Sequence, residues 1–234
     1  CERPYYIEEL TYNEEFGVWH CRNCRPQIKV IKNYHYKAAK MKFLKEKWEV
    51  PLYLGMELEV EPFIFDENIQ KTAAVFKNFL KKEYLENFIY LKSDSSIHGF
   101  EIVTHPFTLK YAHNHIKWNK IFQWLIENNY TSFKSGRCGL HVHLDRDYFS
   151  EMDIIKMRTF FSICTNNIFL LSRREDKGNT YCAYESFNKD KFFNFSQNGR
   201  HSAFNINTNK NTVEVRVFKG TLNVRRFIAS LQFC

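Results

Sequence analysis

Three separated stretches, Glu57-Leu58-Glu59, His141-Val142-His143 and Glu214-Val215-Arg216, each set two ionisable residues two positions apart around one apolar residue. Successive side chains of a strand point to opposite faces, so in a strand each pair shares one face and its apolar residue takes the other. A single such pair fits a strand whose polar face meets water. With Glu101, in Gly99-Phe100-Glu101-Ile102-Val103, however, the pattern crowds Glu57, Glu59, Glu101 and Glu214 onto one sheet. Carboxylates so placed repel one another, and desolvating them is costly unless positive charge sits among them. Arg216 can neutralise one of them. For the others, glutamate oxygens with at most one imidazole suit Mg²⁺ or Mn²⁺ rather than a thiolate-rich zinc site.

Hydrophobic periodicity along the chain supports this assignment of strands. Leu52–Val60, Phe88–Lys92, Phe100–His105 and Leu140–Leu144 read as strands. Asn68–Leu85 and Thr108–Asn128 have apolar residues at helical spacing. Ser150 with Asp153 reads as an N-cap arrangement for a helix to about Leu171. Ser202–Asn207 and Val213–Phe218 make a hairpin across Thr208-Asn209-Lys210-Asn211, and a last helix starts near Leu222. Several links are too short for parallel crossovers, so the expected class is α+β with a mainly antiparallel sheet.

Residues 1–33 form a different segment. Cys21-Arg22-Asn23-Cys24 is a C-x2-C knuckle, preceded by His20 and, further upstream, by Cys1. Two thiolates at that spacing reach one tetrahedral Zn²⁺, so an incomplete zinc-ribbon-like segment is expected, with Cys1, His20, Cys21 and Cys24 as its ligands. Residues 34–51 are Lys-rich, free of Gly and ended by Pro51, which predicts a helical linker with a solvated charged face. Residues 52–234, which carry the three paired stretches, are then the main domain. The first residue is not Met and the last helix pattern runs to Cys234, so the sequence reads as a piece of a longer protein, truncated at its C-terminal end.

Tyr53-Leu54-Gly55-Met56-Glu57-Leu58-Glu59, then Lys92-Ser93-Asp94-Ser95-Ser96 leading to Gly99-Phe100-Glu101-Ile102-Val103, resembles the opening of the amidoligases. These belong to the glutamine synthetase and glutamate–cysteine ligase superfamily of carboxylate–amine ligases. Gly139-Leu140-His141-Val142-His143 is similar to its G-x-H-x-H strand, and Glu214-Val215-Arg216, followed by Phe218-Lys219-Gly220-Thr221-Leu222, to its E-x-R strand and turn. The resemblance implies a curved, mainly antiparallel sheet with helices on its outer face and Mg-bound ATP on its concave face. It implies that Glu59 and Glu101 hold one Mg²⁺ on the acceptor side, and that Glu57, His141 and Glu214 hold a second beside the ATP phosphates. Arg216 would touch the transferred phosphoryl group, His143 would bind substrate or support His141, Asp94 would assist a metal or the amine, and Asp94 or Glu101 would take the amine proton. Arg173 or Arg174 would meet phosphate or a substrate carboxylate, with Arg200 and Asn205 as further candidates. The implied reaction activates a carboxylate as its acyl phosphate, which an amine then attacks to give an amide or peptide-type bond. Its substrates are a small-molecule or peptide carboxylate and an amine.

The net charge of +8 suits an anionic partner without choosing one. The competing reading is a nucleic-acid or protein-binding module with a zinc ribbon; the scattered basic residues and the core spacing of the 23 Phe count against it. No apolar run approaches a membrane span, and seven sparse cysteines make no disulfide framework, so a reducing, cytoplasmic setting is expected. Cys138, beside two histidines, and Cys164 are the candidate thiol nucleophiles, a minor reading.

Overall fold

A computed structural model of the chain describes residues 10–13, 18–21, 29–66, 68–175, 182–184, 201–207 and 210–234. The chain divides into two compact units, Cys1–Val30 and Ile31–Cys234. In the first, β1 (Thr11–Asn13) pairs antiparallel with β2 (Val18–His20), and the Tyr12 and Trp19 rings meet at 5.2 Å. Cys21, directly after β2, is buried. The side chain of His20, and Cys1 and Cys24 altogether, lie outside the described residues.

The second unit is α+β. Its strands are β3 (Ile31–Lys32), β4 (Leu54–Pro62), β5 (Ile89–Lys92), β6 (Phe100–Thr104), β7 (Tyr130–Thr131), β8 (Gly139–Asp145), β9 (Phe204–Asn207) and β10 (Thr212–Lys219). They hydrogen-bond in the order β3-β5-β6-β4-β8-β10-β9, with β7 on the far end of β4. Only the β3–β5 pair is parallel; the other described pairs are antiparallel. Six α-helices are described: α1 (Ile69–Lys82), α2 (Leu109–His115), α3 (Trp118–Glu127), α4 (Glu151–Ile163), α5 (Thr165–Ser172) and α6 (Val224–Phe233). None is long and apolar enough to cross a membrane.

Period-two alternation sends Met56, Leu58, Leu140, Val142, Leu144, Ile102, Val213 and Val215 to one face, where all are buried. Aromatic rings from the helices cover that face. Phe76 of α1 packs on Phe100 and on Trp124 of α3. Trp118 of α3 meets Phe227 of α6 at 4.6 Å, and Phe161 of α4 meets Phe204 of β9 at 5.0 Å. Such ring pairs combine large apolar burial with edge and offset geometries that fix the approach of each helix.

Residues 34–50, expected as a helix, run irregularly along the sheet edge. The backbone amides go instead to the neighbouring loop: Leu44 N–H donates to Pro106 O at 3.0 Å, and Thr108 N–H donates to Leu44 O at 2.9 Å. Lys42 N–H reaches His105 Nδ1, and Phe43 packs edge-on to Tyr53 at 5.0 Å. Tertiary docking thus overrides a modest helix propensity, while the lysines of the run remain exposed. Two expected long helices are each broken in two. Ile116, buried with φ −100° and ψ 118°, separates α2 from α3. Thr165 Oγ1 donates back to Phe161 O and Ser162 O where α4 gives way to α5, a local bond that competes with the helical ladder. The Ser150–Asp153 arrangement is a full capping box at the start of α4.

Candidate functional site

The register of the central strands assembles the other face. Glu59 of β4 stands opposite Glu101 of β6, which stands opposite Lys92 of β5. Glu57 stands opposite His141 of β8, and His143 lies between Gly55 of β4 and Glu214 of β10, beyond which comes Asn205 of β9. All of these ionisable side chains are nearly buried. Among the described residues, two groups bring their ligand atoms within 4.8 Å of one another and could hold a metal ion: Glu57, His143 and Glu214, and Glu59, Asp94 and Glu101.

The first group is rich in cations. His143 Nε2 lies 3.5 Å from Glu57 Oε1 and 3.7 Å from Glu214 Oε1. Arg216 donates to Glu214 Oε1 at 2.6 Å, Asn205 to Glu214 Oε2 at 3.1 Å, and Lys210 to Glu57 Oε1 at 3.1 Å. Burial opposes ionisation of Glu214, but the His143 and Arg216 charges beside it prevail and bring it down to about 2. Glu57 likewise resists burial through His143, His141 and Lys210 and stays well below the usual carboxylate range.

The second group lacks such compensation. Glu101 is pushed up to about 8, first by burial and then by the Glu57 charge; Lys92 opposes this, with Asp94 and Glu59 adding to the rise. Lys92 Nζ pairs with Glu101 Oε2 at 3.5 Å, but that buried oxygen has no hydrogen-bond partner. Glu59 accepts from the Gly139 amide at 2.5 Å. Asp94 is fixed in a turn in which its Oδ1 accepts from Ser96 N–H at 2.7 Å. No side chain fits at Gly99, where a Cβ would overlap the Val60 carbonyl, so the turn carrying Asp94 returns tightly against β4.

His141, expected with Glu57 and Glu214, instead stands between the groups, with Nδ1 3.7 Å from Glu57 and Nε2 3.9 Å from Glu59. The register decides this, because His143 and not His141 is opposite Glu214. Buried His143 Nε2, His141 Nδ1 and Glu101 Oε2 have no hydrogen-bond partner, and each, when unprotonated, offers a lone pair of the kind a bound cation satisfies. Carboxylates with one imidazole fit a hard divalent ion such as Mg²⁺ or Mn²⁺.

A cavity of about 460 Å³ opens beside the first group. Its lining includes Glu57, His143, Lys210 and Thr212 together with Tyr36, Met41, Phe43 and Tyr53. Tyr36, Met41 and Phe43 of this lining belong to the stretch expected as a helical linker with a solvated charged face. Lys210 was also missed; a basic residue in a hairpin turn beside the polar strand β10 was the available signal.

The remaining expected residues fall elsewhere. Arg174 is buried and donates through Nε to Val217 O at 2.9 Å and through Nη2 to Arg216 O and Phe218 O, bracing the bulge between Val215 and Phe218. Arg173 stands over the Phe133 ring. Arg200 lies outside the described residues. Burial pushes the Cys138 thiol up to about 12, which keeps it from acting as a thiolate nucleophile. Compared with models of known protein families and with curated proteins, the chain matches none.

Proposed function

We propose that the chain is an ATP-dependent carboxylate–amine ligase of the glutamine synthetase-like kind, forming an amide or peptide-type bond. The observation that carries this reading is the convergence of Glu57, His143 and Glu214, and of Glu59, Asp94 and Glu101, as two adjoining donor groups on one buried sheet face. Two cation sites side by side suit phosphoryl transfer, which depends on positioning and on neutralising the charge that develops on the moving group. The cavity suits the reading in volume and lining, because aromatic side chains able to stack on a base share it with Glu57, His143 and Lys210, which would meet metal-bound phosphates.

In this reading Glu57, His143 and Glu214 hold the ion beside the phosphates, and Glu59, Asp94 and Glu101 hold the ion on the acceptor side. Mg-bound ATP would supply the phosphoryl group, with ADP leaving, and so turn a poor electrophile, the carboxylate, into an acyl phosphate, from which the attacking amine would expel phosphate. Arg216, aimed by its bond to Glu214, bears part of the negative charge on the phosphoryl group as it moves. Arg174 keeps Arg216 in place through the bulge carbonyls. Asp94, half-buried, takes the proton that the amine loses on forming the amide. Burial of the face limits water that would hydrolyse the activated acid.

The test is the thermal stability of the purified chain with Mg²⁺ and a non-hydrolysable ATP analogue, in wild type, Glu57→Ala and Glu214→Ala. Saturable, metal-dependent stabilisation that both substitutions abolish is expected. Salt-sensitive binding of DNA or RNA that ignores both substitutions would replace the ligase reading with the binding-module one.

A further inference from the structure

A turn at residues 46–49 shows its basic and apolar side chains to solvent and turns its acidic ones inward. Glu49 N–H donates to Glu46 O at 3.3 Å, which sets Lys47 and Trp48 at the tip. Trp48 is 90% exposed, and Val50 just beyond it is 84% exposed. Lys47 Nζ lies 5.4 Å from the Trp48 ring centroid, and Lys45 Nζ donates to Glu49 O at 3.5 Å, so both ammoniums stay beside the tip. The two glutamates face α2 instead. Glu46 Oε1 accepts from Asn114 at 2.8 Å and lies 3.1 Å from His115 Nε2, and Glu49 Oε2 accepts from Thr108 Oγ1 at 2.6 Å. These bonds engage both carboxylates and pin the turn, so its tip needs little further ordering to bind a partner. Lys110, exposed in the first turn of α2, adds a third positive charge near Glu46. Trp side chains are mostly buried in folded chains, and one held almost wholly in water on a pinned turn points to a partner that receives it.

We propose that the turn at residues 45–50 docks the chain on an anionic lipid surface, with Trp48 and Val50 at headgroup level and Lys45, Lys47 and Lys110 against the lipid phosphates. Trp favours that interface because its ring is apolar and its N–H polar. Lysines add electrostatic attraction, and their stems lie along apolar surface while the ammoniums stay in water. With both glutamates turned away, nothing acidic on the tip opposes the approach. A tip of one Trp and one Val falls far short of the roughly 800 Å² a side that a stable protein interface buries. One ring is also too few for a nucleic-acid strand, whose successive bases stack on several. A lipid surface demands neither, and the contact is peripheral because it needs no crossing segment.

Co-sedimentation of the whole chain with vesicles tests the contact, with phosphatidylcholine alone and with phosphatidylcholine and phosphatidylserine in equal parts, without metal or nucleotide. Salt-sensitive binding to the phosphatidylserine vesicles is expected, about tenfold tighter than to phosphatidylcholine alone. Trp48→Ala should weaken it about tenfold and Lys47→Gln about fivefold. Both side chains are exposed, so these variants fold. Ile64→Ser, which removes an exposed apolar side chain from another loop, leaves binding intact. Equal binding to both kinds of vesicle, undiminished binding by Trp48→Ala, or equal weakening by Ile64→Ser overturns the proposal. Trp48-dependent self-association without lipid, read by sedimentation velocity, would make the turn an interface between copies and overturn it too. So would Trp48-dependent binding of an oligothymidine more tightly than of lipid, which would make it a nucleic-acid contact. Because neither Mg²⁺ nor ATP is present, failure to bind lipid would leave the ligase reading standing, and loss of Mg-nucleotide binding alone would leave this contact standing.

Discussion

The two acidic groups on the sheet face share strand β4 yet solve the same electrostatic problem in opposite ways. Around Glu57 and Glu214 the chain supplies its own cations, His143, Arg216 and Lys210, and both carboxylates are held down in the ionised state. Around Glu59, Asp94 and Glu101, among the described residues, Lys92 is the cation paired with Glu101, which is pushed up to about 8. The first group is largely compensated by its own cations, although His143 Nε2 has no hydrogen-bond partner, and can exchange part of that compensation for a metal. The second is unfinished, and it holds a proton where a divalent ion would serve. Dependence on external cation should therefore be concentrated at Glu101.

The sharpest way to break this contrast is pH. The folded chain binds a proton at Glu101 up to about 8, whereas the unfolded chain releases it near 4.5. The folded state then holds more protons between these values. Stability from this group is fully present below about 4.5 and is lost as pH rises through 8. The upper bound is on the order of 5 kcal/mol for a nearly buried carboxylate. Urea melts of the metal-free chain should show stability falling from pH 5 to 8, with Mg²⁺ restoring it at pH 8. A flat profile without metal would remove the distinction between the groups.

Next in size are paired substitutions. Glu214→Gln takes a carboxylate from beside half-buried Arg216 and buried His143 and should cost about 3 kcal/mol in urea denaturation, because a charge-assisted pair inside the fold is broken. Glu101→Gln removes a repelling carboxylate and should leave metal-free stability at pH 8 unchanged or raised by about 1 kcal/mol. The same variant should lose the Mg²⁺ response. Equal losses from both substitutions would mean that the groups are alike.

The polar face was legible in sequence because period-two alternation is local: Glu57, Glu59, His141, His143 and Glu214 announce their common face without knowledge of the sheet. Which histidine completes the group was not legible. It depends on β8 lying between β4 and β10 with His143 opposite Glu214, a fact of long-range register that no window of sequence contains. The run 34–50 misled for a related reason. Absence of Gly and a terminal Pro51 are helix signals, but Leu44 finds better partners in Pro106 and Thr108, more than sixty residues away. That same displacement put Tyr36, Met41 and Phe43 on the cavity wall. Arg174, nominated as a ligand, braces the β10 bulge, and bulges leave little trace in composition.

Lys210 gives the smallest and most discriminating test. Its ammonium, 3.1 Å from Glu57, occupies part of the space that a cation in the first group needs, while its side chain remains 42% exposed. An exposed partner contributes little, so Lys210→Met should change stability by less than about 1 kcal/mol. Its removal nonetheless takes a like charge from beside the metal position, and bare Mg²⁺ should bind about threefold more tightly. Lys210 also lines the cavity, where a phosphate would meet it. The Mg-bound ATP analogue should therefore bind more weakly to the same variant. Opposite signs for metal alone and for metal with nucleotide make Lys210 a surrogate cation that hands Glu57 to the incoming ion and turns to the phosphates. Weaker binding in both titrations would instead make it a structural support of Glu57, and the first group would then be a fixed ion-pair network rather than an exchangeable one.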